Sequence, residues 1–99
     1  MRWIRPQLDA PQETIAEEQA EYCPLVGAFL THPDYGLAKG ANYNTVVIAC
    51  RPSDEERKRI AAGDDLYIGL LTFGSPMQPI IVLVGREEAS LAYNVGIHL

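Results

Sequence analysis

The sequence predicts a small α+β protein, a mixed or antiparallel sheet with two to three helices and a β-α-β-β core at 45–84. Three observations predict it. The run Thr45–Cys50 is β-branched and apolar, the composition of a strand. Ser53 follows Pro52 and stands three residues before Glu56. That is the spacing of a capping box, in which each side chain covers a free backbone N–H at a helix start. Leu66–Phe73 and Ile80–Val84 are short apolar runs on either side of Gly74-Ser75-Pro76-Met77-Gln78-Pro79, which is turn chemistry between two strands.

Each element follows in chain order. Met1–Leu8 carries Trp3 and Ile4 and reads as a short edge strand, because Pro6 limits how deeply it pairs. Asp9, Pro11 and Gln12 are start signals for a helix running to about Tyr22. On it Ile15, Ala16, Gln19 and Cys23 share one face, and Glu13, Glu17, Glu18 and Glu21 lie largely outside it. That acidic run is either a solvated face or a contact for a basic partner. Pro24 ends the helix, and Leu25–Leu30 is a strand containing Gly27. Thr45–Cys50 is expected to be buried on both faces, with Cys50 as a small core hydrophobe.

Pro52 breaks that strand, and a helix near 54–62 follows. Acidic Asp54, Glu55 and Glu56 lie at its positive end and basic Arg57, Lys58 and Arg59 lie further along. Ile60 and Ala61 are expected to face the core, and Gly63 is placed to end the helix. The strand–helix–strand order permits a right-handed crossover, and the last two strands form an antiparallel hairpin. Glu87–Tyr93 makes a short helix with Asn94 near its end, and Val95–Leu99 forms a last short strand or a packed tail.

Length and charge bound the function. Ninety-nine residues fit one domain spanning 1–99. A net charge of −5 argues against bulk nucleic-acid binding, which needs a basic surface. It leaves room for a small anionic ligand held by a few local donors, or for a basic partner protein. No apolar run approaches the ~20 residues of a membrane span. Arg2 and Arg5 have no apolar stretch behind them, so the sequence predicts a cytoplasmic protein without a signal peptide.

No motif supplies catalysis or a cofactor. Cys23, His32, Cys50 and His98 show no metal-ligand spacing. Ser75 is not in a nucleophile elbow, and Pro76 removes the N–H that such a site needs. Neither a Walker loop nor a strand-linked glycine fingerprint is present. The sequence therefore predicts no enzyme, no metal and no cofactor.

The best site candidate is Thr31–Asn44, a long stretch without periodicity, of the kind that is often functional. Lys39 between Gly36 and Gly40 offers a mobile cation and open backbone amides. Tyr35 and Tyr43 offer stacking faces, and Asn42 and Asn44 offer polar edges. Arg51, just after the strand end, is a reserve cation. Each of these is also ordinary loop composition; their concentration is what points to ligand binding. The turn Gly74–Pro79, with Met77 between prolines, is a rigid tip or a partner contact.

Arg51-Pro52-Ser53-Asp54-Glu55-Glu56, then Ala62-Gly63-Asp64-Asp65-Leu66-Tyr67, then Pro76-Met77-Gln78-Pro79, resemble small uncharacterised proteins of bacteriophages and prophages over residues 46–84. The shared motifs cap a helix and turn a hairpin, and they carry no functional residues across. The resemblance implies a host-cell setting and an accessory, anti-defence role exercised by binding. The expected function is thus a binding module that sequesters a small nucleotide-like ligand. The alternative is an inhibitor of a host protein acting through the acidic helix or the 74–79 tip, and a small enzyme is third. Short strands with open edges add the expectation of a homo-oligomer.

Overall fold

A computed structural model describes residues 1–15, 25–70, 72–76 and 79–98. The order of elements is β1 (Arg2–Ile4), β2 (Gln12–Ile15), β3 (Leu25–Leu30), β4 (Thr45–Val47), β5 (Ala49–Arg51), α1 (Asp54–Ala61) and α2 (Gly85–Tyr93). They form two antiparallel sheets, β2-β3-β4 and β1-β5. The α+β class predicted from the sequence is the class observed.

β3 is the centre of the larger sheet because both of its edges are taken. Gln12 opposes Ala28 on one side, and Val47 opposes it on the other. Gly27 is required by close approach: a Cβ there would lie 2.7 Å from Val46 Cγ1 and 2.8 Å from Ile15 Cδ1. Strand alternation sends Ala28 and Leu30 to the opposite face, where α2 covers them. The buried cluster is Leu8, Ala28, Leu30, Ala89 and Tyr93. Ala89 and Tyr93 are four residues apart, one above the other on a single helix face. Asn94, left-handed at φ 53, ends α2, and the tail returns to pair with residues 7–9. Leu8 bridges Ile97, Asp9 N–H donates to Gly96 O at 2.9 Å, and His98 N–H donates to Gln7 O at 3.1 Å.

α1 is held locally. Ser53 Oγ accepts from Glu56 N–H at 3.1 Å, and Glu56 Oε1 accepts from Ser53 N–H at 2.9 Å. At the other end Gly63 N–H donates to Ile60 O and Asp64 N–H donates to Arg59 O, both at 3.0 Å. This is the Schellman pattern, which requires Gly63 in its observed left-handed state.

Six expectations are corrected. Residues 12–15 of the expected first helix are strand β2; the remainder, with Glu17, Glu18, Glu21 and Cys23, lies outside the described residues. Tertiary pairing overrides the cap signals. The Gln12 amide donates to Pro6 O and Leu8 O at 3.0 and 3.1 Å, which fixes the approach, and Thr14 and Ile15 fill the open edge of β3. Thr45–Cys50 is not one strand buried on both faces. Ile48 interrupts it, β4 joins one sheet and β5 the other, and Val46, Ile48 and Cys50 are exposed, as on the solvated face of an antiparallel sheet. Cys50 opposes Trp3 and is exposed rather than buried.

No residue of α1 is buried, and Ala61 is exposed, because an eight-residue helix with one large apolar side chain has no stripe to bury. Among the described residues, the two strands expected after it are not formed. The described residues of 66–73 and 80–84 carry no ladder, so the β-α-β-β core and its crossover reduce to β5 followed by α1. Neither sheet takes up the described residues of these runs. The chain does reverse, but at Thr72–Ser75. There Ser75 N–H donates to Thr72 O at 3.0 Å, with Phe73 at φ 52 and Gly74 at φ 83. Two positive φ values make this a type I′ turn, the one that matches strand twist in hairpins. Among the described residues, no helix is long and apolar enough to cross a membrane.

Candidate functional site

The loop 31–44 joins two paired strands and is organised by one side chain. Asn44 Oδ1 accepts from His32 N–H at 2.8 Å and from the Thr45 hydroxyl at 2.9 Å. Its Nδ2 donates to His32 O and Tyr35 O, both at 3.1 Å. Those four bonds use the whole capacity of a carboxamide, so Asn44 builds the loop and has nothing left to read a ligand with.

The two tyrosines are separately engaged. Tyr35 meets His32 edge-on at 4.9 Å, and Tyr43 meets Phe29 edge-on at 4.9 Å. The other edge of the loop is anchored through His32 against Tyr93 of α2, at 5.2 Å. Lys39 lies at an exposed turn in which Ala41 N–H donates to Ala38 O at 2.9 Å, and Asn42 is exposed. Tyr35 and Tyr43 thus pack on different partners, His32 and Phe29. No residue of this loop lines either of the two concavities described below.

Arg51 lies elsewhere, in the larger concavity. Antiparallel register sets Arg2 of β1 directly opposite Arg51 of β5, so both side chains leave the same face of the ribbon. Arg57 joins them from the first turns of α1, its Nε donating to Pro52 O at 3.3 Å. With Met1, Pro52, Ser53 and Asp54 they line a cleft of about 410 Å³. Three arginines thus line it beside one acidic residue, Asp54. Among the described residues, no carboxylate lies within ion-pair distance of Arg2, Arg51 or Arg57. A chain of net charge −5 therefore concentrates unpaired positive charge in one depression.

Next to it, the N-terminal ammonium of Met1 pairs with the Glu56 carboxylate. This contact, with the Ser53 backbone and hydroxyl bonds, pulls the Glu56 pKa from 4.5 down to about 2. A smaller space of about 150 Å³ lies behind, lined by Met1, Glu56, Arg59, Ile60, Asp64, Asp65 and Leu66. Its three carboxylates make it unsuited to an anion.

Among the described residues, no three His, Cys, Asp or Glu side chains converge on a metal position. His32 Nδ1 accepts from Asp34 N–H at 3.2 Å and its ring faces Tyr35 and Tyr93. Cys50 sits in the other sheet opposite Trp3.

Sequence reasoning missed Arg2 and Arg57. Arg57 belonged to the basic end of a helix, and Arg2 to a terminal strand. Only the pairing of β1 with β5, 49 residues apart at Arg2 and Arg51, brings them together. The local signal was Arg51 placed two residues before a helix N-cap. Comparison with protein-family models, curated proteins and solved structures gave no match.

Proposed function

We propose that this chain is a non-enzymatic binding module that holds a small phosphate-bearing ligand in the Arg2–Arg51–Arg57 cleft. One observation carries the reading. Arg2 and Arg51 are directly opposed in a two-stranded ribbon and share no carboxylate. Like charges in that position destabilise a ribbon, and a bound anion reverses the sign of the interaction. Arginine suits the task because its planar fork binds phosphate oxygens in pairs.

The cleft volume falls within the ~300–1,000 Å³ of small-ligand sites. Asp54, Glu55 and Glu56 already occupy the positive end of α1, so the arginines rather than the helix dipole supply the attraction. Among the described residues, no aromatic side chain lines the cleft. The site therefore reads the phosphate, and a nucleotide is held by its phosphates rather than by its base. The resemblance of 46–84 to phage and prophage accessory proteins supports sequestration of a signalling nucleotide as the setting.

Calorimetric titration with pyrophosphate and with nucleoside mono-, di- and triphosphates tests this. Binding is expected to strengthen with phosphate count, to weaken as salt is raised, and to be lost in Arg2→Ala and Arg51→Ala. Lys39→Ala, Tyr35→Ala and Tyr43→Ala are expected to be silent. Flat titrations across the panel, or a loss in Lys39→Ala equal to that in Arg51→Ala, would reject the cleft.

A further inference from the structure

Among the described residues that line the arginine cleft, Asp54 is the acidic one. Its neighbours do not occupy it. Among the described residues, its side chain makes no hydrogen bond and no ion pair. Lys58 stands one helical turn further along, in the favourable order for an i,i+4 pair, and is not within ion-pair distance of it. Neither are Arg2, Arg51 and Arg57. Three arginines and an aspartate thus line one cleft of about 410 Å³ without pairing.

The backbone that carries Asp54 is held in place. Asp54 follows the N-cap Ser53, and the reciprocal bonds between Ser53 and Glu56 span it. Arg57 is tied to the same turn twice, by its backbone N–H on Ser53 O at 2.9 Å and by its Nε on Pro52 O at 3.3 Å. Acid and base therefore keep set positions on one rigid helix start.

For a bare anion that carboxylate is a liability. It repels the phosphate that the arginines attract, and a cleft for inorganic phosphate would be stronger without it. A ligand with a hydrogen-bond donor beside its phosphate turns the same group into a contact, because an ionised carboxylate only accepts. An ammonium donor would meet the three arginine charges. A hydroxyl carries no charge, and two adjacent hydroxyls match two carboxylate oxygens. Acidic side chains bind ribose hydroxyls beside a phosphate site in dinucleotide-binding folds. With no aromatic side chain among the described lining residues to stack a base, the sugar is the part of a nucleotide next to the phosphates that this cleft can read.

We infer that Asp54 determines the specificity of the cleft: it accepts the sugar hydroxyls of a ribose phosphate and selects nucleotides over inorganic phosphates. The inference rests on the phosphate reading of the cleft and adds the chemical class of the ligand to it.

Calorimetric titration of the full chain with pyrophosphate, ADP and dideoxy-ADP, which lacks the ribose hydroxyls, tests it in the wild type, Asp54→Ala and Asp54→Asn. A hydrogen bond to a charged group is strong enough to favour ADP over dideoxy-ADP by about tenfold in the wild type. Asp54→Ala is expected to bring the two to equal affinity and to tighten pyrophosphate, because the repulsion leaves with the charge. Asp54→Asn keeps the shape and one accepting oxygen, so it is expected to tighten pyrophosphate and to retain part of the preference. An aspartate that serves only the helix start behaves otherwise: its loss weakens all three ligands alike and leaves their ratios unchanged. Pyrophosphate bound by the wild type with no preference for ADP over dideoxy-ADP, a preference that survives Asp54→Ala, or pyrophosphate weakened in that variant would overturn this inference and leave the phosphate reading standing. A wild type that does not bind pyrophosphate would overturn both.

Discussion

Arg51→Gln is expected to raise the stability of the ligand-free protein and to abolish its stabilisation by phosphate. Arg2 and Arg51 are paired in register at the exposed end of a two-stranded ribbon. Directly opposed residues have Cβ atoms about 5 Å apart. Two unit charges at that separation in water-like surroundings would repel by ~0.8 kcal/mol, an upper bound here because the charged heads sit on long stems that splay apart. Salt weakens the repulsion, since the screening length is about 10 Å at 0.1 M. Removing it should lift the melting temperature, by at most roughly 3–6 °C at low salt for a domain of this size, and by less at high salt. Pyrophosphate at a hundredfold excess over its dissociation constant should stabilise the wild type by about 2.7 kcal/mol and leave the variant unmoved. Thermal denaturation at two salt concentrations, with and without pyrophosphate, reads all four values. A variant less stable than wild type at low salt, or one that pyrophosphate still stabilises fully, would rule out a repulsive Arg2–Arg51 pair that binds the anion. The first outcome would mean that the arginine stem packs, and the second that the anion sits elsewhere.

Ser53→Ala should cost roughly 1 kcal/mol by removing the cap on the Glu56 N–H; an unchanged denaturation midpoint would reject the helix start. Asn44→Ala should cost about 1–3 kcal/mol by leaving part-buried partners unpaired, and should leave pyrophosphate affinity intact, as paired denaturation and titration would show. The depressed pKa of Glu56 makes its contribution to stability full above pH 4.5 and lost as pH falls toward about 2. Glu56→Gln should remove that component of the acid-unfolding curve, and an identical curve in the variant would contradict it.

What was legible in the sequence was what neighbouring residues decide. Ser53 and Glu56 meet across one helical turn, Gly63 supplies a left-handed residue where the chain must leave α1, and Asn94 does the same for α2. β3 carries its own pattern in Leu25–Leu30. What failed depends on partners distant in sequence. Gln12–Ile15 carried good helix-start signals, yet β3 offered an edge that local chemistry does not reveal. The turn at Thr72–Ser75 was misplaced because Phe73, an unusual residue at positive φ, stands where an Asn or Asp would have announced it. The site divided in the same way. Loop 31–44 was rightly singled out as irregular, but the polar side chain given to a ligand, Asn44, is spent on the loop itself. Arg51 was the reserve candidate, and its neighbours Arg2 and Arg57 arrive through a strand pairing and a helix turn that no spacing rule links.

The most direct test of the cleft is nuclear magnetic resonance of the arginine Nε–H groups during titration with pyrophosphate. The account predicts that the signals of Arg2, Arg51 and Arg57 move together and saturate at one concentration, while the amides of Tyr35, Lys39 and Tyr43 stay in place. Shifts centred on the 31–44 loop, with the three arginine signals unmoved, would contradict it.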